Sequence, residues 1–125
     1  MNSRPDKGTR GPARLSRALG SSWRGLVACW RDEEAFRHEC LLALLVVPLG
    51  LWFGGDGVER ALLVGPMLLV LAIELVNSAL EATVDRIGIE RHPLSAAAKE
   101  LGSAAVFMAF VLLVVNWLLV LAWPR

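Results

Sequence analysis

The chain has 125 residues, 55% of them hydrophobic, with a mean hydropathy of +0.52. That is the length of a single domain, but it is more apolar than a soluble domain of this size. A net charge of +1 gives no electrostatic footprint for nucleic acid, and Cys29 and Cys40 fit no metal or redox spacing, so both read as small apolar residues.

In chain order, residues 1–12 are rich in Gly, Pro and charge and are predicted to be disordered. The N-terminal region is polar and basic, unlike a cleavable signal peptide. Residues 13–32, "ARLSRALGSSWRGLVACWRD", are amphipathic. Leu15, Ala18, Leu19, Trp23, Leu26, Val27 and Trp30 share one helical face, and Arg14, Arg17, Arg24 and Arg31 share the opposite one. Leu, Val and Trp set against Arg predict a helix lying in the membrane interface.

Three apolar segments follow. "CLLALLVVPLGLWF" is short for a span but extends back to Phe36, which predicts a first crossing over 36–53. The second covers 61–84, and the third 97–123 with its apolar stretch from Gly102. Crossing the hydrocarbon takes about 20 helical residues, and the runs lack the two-residue alternation of strands. The fold class is therefore all-α membrane protein, with three transmembrane helices and an N-terminal amphipathic surface helix. "GGDG" at 54–57 reads as a tight turn, and Pro93 in the loop "GIERHPLS" as the opening of the last helix. Pro48 and Pro66 fall inside spans, where they are expected to kink the helix. Gly102, Ser103 and Ala104 suit close helix packing, and Trp117 and Trp123 suit interfacial anchors at the far side.

Of the 13 Lys and Arg residues, eight precede the apolar run that begins at Cys40. Arg86, Arg91 and Lys99 lie between the second and third, only Arg60 lies in the first loop, and only Arg125 at the end. Positive residues stay inside, so the N-terminus and second loop are predicted to be cytoplasmic and the C-terminus periplasmic.

"IELVNSALEATVD" puts polar groups inside the second span. Relative to Glu74, the residues Asn77, Ser78, Glu81 and Asp85 project at about −60°, 40°, −20° and 20°, a single narrow stripe. Glu74 lies about 10 Å deeper along the axis than Glu81. Charges in a span cost several kcal/mol each, so the stripe must face other helices, water or a cation. Three functions would account for it: a polar seam gluing helices together, a proton or cation path in a small transporter, or an active site for a charged substrate at the membrane surface.

The surroundings favour the last. Asp32, Glu33, Glu34 and Glu39 precede the first span on the same side, and Lys99 and Glu100 stand at the level of Glu81 and Asp85. Carboxylates with a lysine and arginines suit Mg²⁺ and phosphates. No Walker motif, kinase Gly-rich loop or "DFG" is present. A transporter would need acids reachable from both sides, but the far side has only Asp56 and Glu59, which do not continue the stripe.

The segments "SWRGLVACWRDEEAFRHE", "IELVNSALEATVDRIG" and "IERHPLSAAAKELGSAAV", with a Trp-containing apolar tail, resemble the small prokaryotic integral-membrane diacylglycerol kinases over 14–123. The resemblance implies a homotrimer with active sites shared between subunits. It implies transfer of the γ-phosphate of MgATP to diacylglycerol, giving phosphatidic acid. By position, Glu74 resembles the general base and Asn77 an active-site amide. Glu33 and Glu81 resemble the metal pair. Arg14, Ser21, Glu33, Glu81, Glu90, Arg91, His92, Lys99 and Glu100 resemble the ATP-binding set, and Arg14, Trp23, Glu39, Glu74 and Ser103 the lipid-substrate set. Glu100 stands where the family pattern has Asp, Ser21 stands where it has an aromatic, and Arg91 and Pro93 also depart from it. A related subfamily phosphorylates undecaprenol, and "KELGSAAV" resembles the diacylglycerol type more closely.

Overall fold

The computed structural model describes residues 11–123, and the predicted disordered segment lies outside these apart from Gly11 and Pro12. Among the described residues the chain is all-helical: α1 Pro12–Asp32, α2 Glu34–Phe53, α3 Gly57–Ile87 and α4 Pro93–Ala122. Of these, α2, α3 and α4 are long and apolar enough to cross a membrane. α3 runs past its apolar segment at both ends and α4 at its start, where Asp56 and His92 cap polar turns; α4 ends at Ala122.

Local chemistry sets each break. Pro12 opens α1 at a position where its missing N–H costs nothing. Between α1 and α2 a single residue, Glu33, is extended, with φ −114° and ψ 110°. Arg37 steadies this elbow: its Nη1 donates to Trp30 O at 2.8 Å and Arg31 O at 3.0 Å, two carbonyls the end of α1 leaves open. Asp56 caps α3 by accepting from Glu59 N at 2.8 Å, while Glu59 Oε2 accepts from Gly55 N at 2.7 Å. Arg60 Nε donates to Leu51 O at 3.1 Å, and its backbone passes so close to Gly54 that a Cβ there would lie 2.9 Å from Arg60 N. At the head of α4, His92 Nδ1 accepts from Leu94 N at 3.1 Å and Pro93 takes the first position.

In packing, α3 lies between α2 and α4, with α1 laid lightly on α2 and α3. The core is Met67 and Val70 of α3 against Ala109 and Leu113 of α4, flanked by Val46 and Val47 of α2. Gly50 lets α2 approach α3, since a Cβ there would stand 3.1 Å from Leu63 Cβ and Val64 Cγ2. Leu44, Trp52 and Phe107 point outward, as expected where the surroundings are lipid or protein rather than water.

Both proline-containing helices continue past their prolines. Pro66 has no N–H for the carbonyl of Leu62, and Asn116 Nδ2 of α4 donates there at 3.0 Å. Beside it Trp117 Nε1 donates to Leu63 O at 3.0 Å, and its ring meets Phe53 edge-on at 6.5 Å. Trp117 is thus half-buried in the helix contact rather than standing free as an anchor, whereas Trp123 is exposed.

Candidate active site

The acidic stripe of α3 forms one row that descends from interior to surface. Glu74 is 5% exposed and Asn77 9%. Ser78 and Glu81 are half-buried, and the Asp85 side chain is 56% exposed. Residues spaced by three and four share a helix face, so the row follows from the spacing, and its burial falls toward the end of α3.

Each of the other three helices supplies a partner to the row. From α2, the buried Glu39 carboxyl lies close enough to Glu74 for the two to act on each other electrostatically. Among the described residues Glu39 Oε2 has no hydrogen-bond partner. From α1, Cys29 Sγ lies 3.7 Å from Ser78 Oγ. Burial pushes this thiol up, so Cys29 holds little thiolate and behaves as packing. From α4, Gly102 rests against Asn77, and Lys99 Nζ donates to Asp85 Oδ1 at 2.7 Å. Within the row, Asn77 Nδ2 faces Glu81 Oε1 at 3.5 Å. Glu33, at the elbow between α1 and α2, and Glu81 are both close enough to act electrostatically on Glu74.

At the polar end of α3 and α4 a cleft of about 550 Å³ is lined by Asp85, Glu90, Arg91, His92, Ser95 and Lys99. Its size is that of sites holding small ligands. Four residues expected to act together, Glu90, Arg91, His92 and Lys99, are therefore gathered here. Arg14, Ser21 and Glu100 do not line this cleft and are exposed. The Ser21 hydroxyl accepts from Arg24 Nη2 at 3.2 Å. Of the residues expected at a lipid, Glu39 and Glu74 meet, whereas Trp23 and Ser103 are exposed on α1 and α4.

The donors around Glu33 and Glu81 are hard oxygens, and among the described residues no three His, Cys, Asp or Glu side chains cluster as a ready metal cage. Such a set fits Mg²⁺ arriving with phosphate, which needs one or two carboxylates and keeps its waters. It does not fit a resident zinc.

Two features escaped the sequence. The Glu39–Glu74 contact joins residues on different helices, and only the packing register brings them together. The donation from Asn116 to Leu62 had a readable cue in Pro66, whose missing N–H demands a donor from elsewhere.

Comparison with known proteins shows the family. The family model described as prokaryotic diacylglycerol kinase matches residues 20–121. The diacylglycerol kinase of Escherichia coli (strain K12) is 46% identical over 113 residues, covering 90% of this chain and 93% of that protein. The diacylglycerol kinase of Pseudomonas aeruginosa is 45% identical over 121 residues, covering 97% and 98%. That of Haemophilus influenzae is 45% identical over 109 residues, covering 87% and 92%. The chain belongs to the prokaryotic diacylglycerol kinase family.

Proposed function

We propose that this member of the prokaryotic diacylglycerol kinase family transfers the γ-phosphate of MgATP to diacylglycerol at the cytoplasmic face of the bacterial inner membrane, giving phosphatidic acid. The chain is an ATP-dependent lipid kinase. The observation that carries the finer reading is the row from buried Glu74 to exposed Asp85. A diacylglycerol hydroxyl lies just under the headgroups and MgATP lies in water, and one helix face spans that distance.

Glu74, at the buried end, accepts the proton of the lipid hydroxyl. The freed oxygen attacks the γ-phosphorus, the bond to the β-phosphate oxygen breaks, and ADP leaves with that electron pair. Glu39 lies beside Glu74, and Asn77 orients Glu81. Glu33 and Glu81 would hold Mg²⁺, which supplies charge neutralisation on the phosphates. Lys99, Glu90, Arg91 and His92 bind the nucleotide in the cleft, with Arg14, Ser21 and Glu100 completing that set. Arg14, Trp23 and Ser103 border the lipid. Phosphoryl transfer needs alignment and electrostatic support more than covalent chemistry, which suits a site of carboxylates, amide and cations.

The helix α1 lies in the interface, its apolar residues toward lipid and its arginines toward headgroups. One chain leaves Arg14, Trp23 and Ser103 exposed while Glu74 is buried, which supports a homotrimer whose subunits complete each other's sites. The lysine and arginine distribution supports a cytoplasmic N-terminus and a periplasmic C-terminus.

The test is direct. Purified protein in mixed micelles receives labelled MgATP with either diacylglycerol or undecaprenol. Label is expected in phosphatidic acid. Label only in the polyprenyl phosphate would move the substrate to the related subfamily, and label in neither lipid would sink the kinase mechanism.

A further inference from the structure

A buried amide oxygen without a partner lies where α3 meets α4. Asn77 is 9% exposed, and among the described residues its Oδ1 accepts no hydrogen bond. The other end of the amide, Nδ2, faces Glu81 Oε1 at 3.5 Å. This orientation is the one a carboxylate selects, because turning the amide over would set two acceptors against each other. What stands at the oxygen end is Gly102. A Cβ there would collide with Asn77 Oδ1, lie 3.2 Å from Asn77 Cγ and approach Leu80 Cδ2 at 3.4 Å. In place of that Cβ, glycine carries only a hydrogen, which leaves the space to Oδ1.

The backbone does not require glycine at this position. Among the described residues Gly11 alone has a positive φ, and Gly102 lies within regular helix. A glycine inside a helix is less favourable than alanine. The close approach of the Asn77 amide is what alanine could not accommodate.

We propose that Gly102 is a positioning residue for the phosphoryl-transfer site. By leaving the space that Asn77 Oδ1 fills, it fixes the amide with Nδ2 toward Glu81. Gly102 touches neither nucleotide nor lipid in this scheme and acts through Asn77. The inference rests on Asn77 and Glu81 belonging to the active site. It predicts that a methyl group at 102 turns or displaces the amide and disorders Glu81, while the helix itself remains. A purely structural glycine would behave differently: its substitution would weaken α3–α4 packing whatever residue stood at 77.

The experiment is a double-mutant cycle on the full chain in mixed micelles with diacylglycerol and MgATP. It uses Gly102→Ala, Asn77→Ala and the pair, with Gly65→Ala as control, since a Cβ at Gly65 meets nothing within 4 Å. Turnover, the Mg²⁺ concentration giving half-maximal rate, and the thermal midpoint are measured for each. Gly102→Ala is expected to lower turnover about tenfold or more and raise the Mg²⁺ requirement, on the scale of a lost active-site hydrogen bond. Gly65→Ala is expected to stay within about twofold of the parent, as for a substitution without new contacts. The double variant should be no slower than Asn77→Ala alone, because the colliding amide is gone.

Fully additive losses, or a Gly102→Ala protein with parental turnover and Mg²⁺ dependence, would overturn the inference. Should Gly102→Ala alone fail to fold, the double variant decides. If it folds with the turnover of Asn77→Ala, the defect belongs to the amide, as proposed; if it is also unfolded, the defect is helix packing and the inference fails. A parent protein that phosphorylates no lipid overturns the functional reading and this inference together. An active parent with additive variants overturns this inference alone.

Discussion

Replacing Asn116 by leucine removes the donor to Leu62 O while keeping a side chain of similar length at the α3–α4 contact. The affected carbonyl has no helical substitute, because its i+4 partner is Pro66. Two magnitudes bound the cost. A carbonyl stranded in hydrocarbon loses several kcal/mol. Measured side-chain hydrogen bonds in membrane proteins average about 0.6 kcal/mol and reach about 1.7 kcal/mol. Leu62 lies five residues into α3, about 7.5 Å from its start, so interfacial water can reach the carbonyl and the lower bound governs. We expect about 1 kcal/mol, read as a drop in stability in detergent unfolding. Activity per folded molecule should hold, since Leu62 is twelve residues, or about 18 Å along the helix, from Glu74. The decisive arm is Pro66→Ala, which returns an N–H to Leu62 O. In that background Asn116→Leu should cost clearly less. An equal cost in both backgrounds would refute the idea that Asn116 serves the proline-freed carbonyl.

Glu74→Gln should lower turnover on the order of a hundredfold or more and leave nucleotide binding nearly intact, measured by rapid kinetics and calorimetry. If it abolishes nucleotide binding instead, base and metal ligand have been exchanged. Glu33→Gln and Glu81→Gln should raise the Mg²⁺ requirement, because an amide is a poor ligand for a hard cation. A reporter fused after Arg125 should be periplasmic and one inserted among residues 88–92 cytoplasmic; a cytoplasmic C-terminus would break the three-span topology. Cross-linking in detergent should saturate at three chains, and a fully active monomer would remove the shared-site model. With Cys40→Ser in place, Cys29 should react with maleimide more slowly than free cysteine at neutral pH and gain rate as pH rises, because burial pushes its thiol up.

The three membrane helices were legible because a run long enough to cross hydrocarbon leaves few other outcomes. The row from Glu74 to Asp85 was legible because a helix turns three- and four-residue spacing into a face. Helix ends were less so. Apolarity marks where lipid begins, whereas Asp56 and His92 set where α3 and α4 begin by capping amides outside it. Partners across helices were not legible at all. Nothing local to Glu39 announces Glu74, and Asn116 reads as an ordinary polar residue until Pro66 is seen beside it. The gathering of Glu90, Arg91 and His92 with Lys99 required only that a short loop lead into α4.

The length of α3 has a mechanical consequence. Its 31 residues amount to about 46 Å, against about 30 Å of hydrocarbon. Glu74 sits seventeen residues from one end and thirteen from the other, so its depth below the water boundary is set by how the bilayer matches the rod. A thicker host membrane draws lipid over Glu81, and a thinner one exposes Glu74, each ångström of mismatch costing a fraction of a kcal/mol in tilt or lipid strain. The helix is thereby a gauge of membrane thickness, and turnover should pass through a maximum as the acyl chains of the host lipid are lengthened at constant substrate.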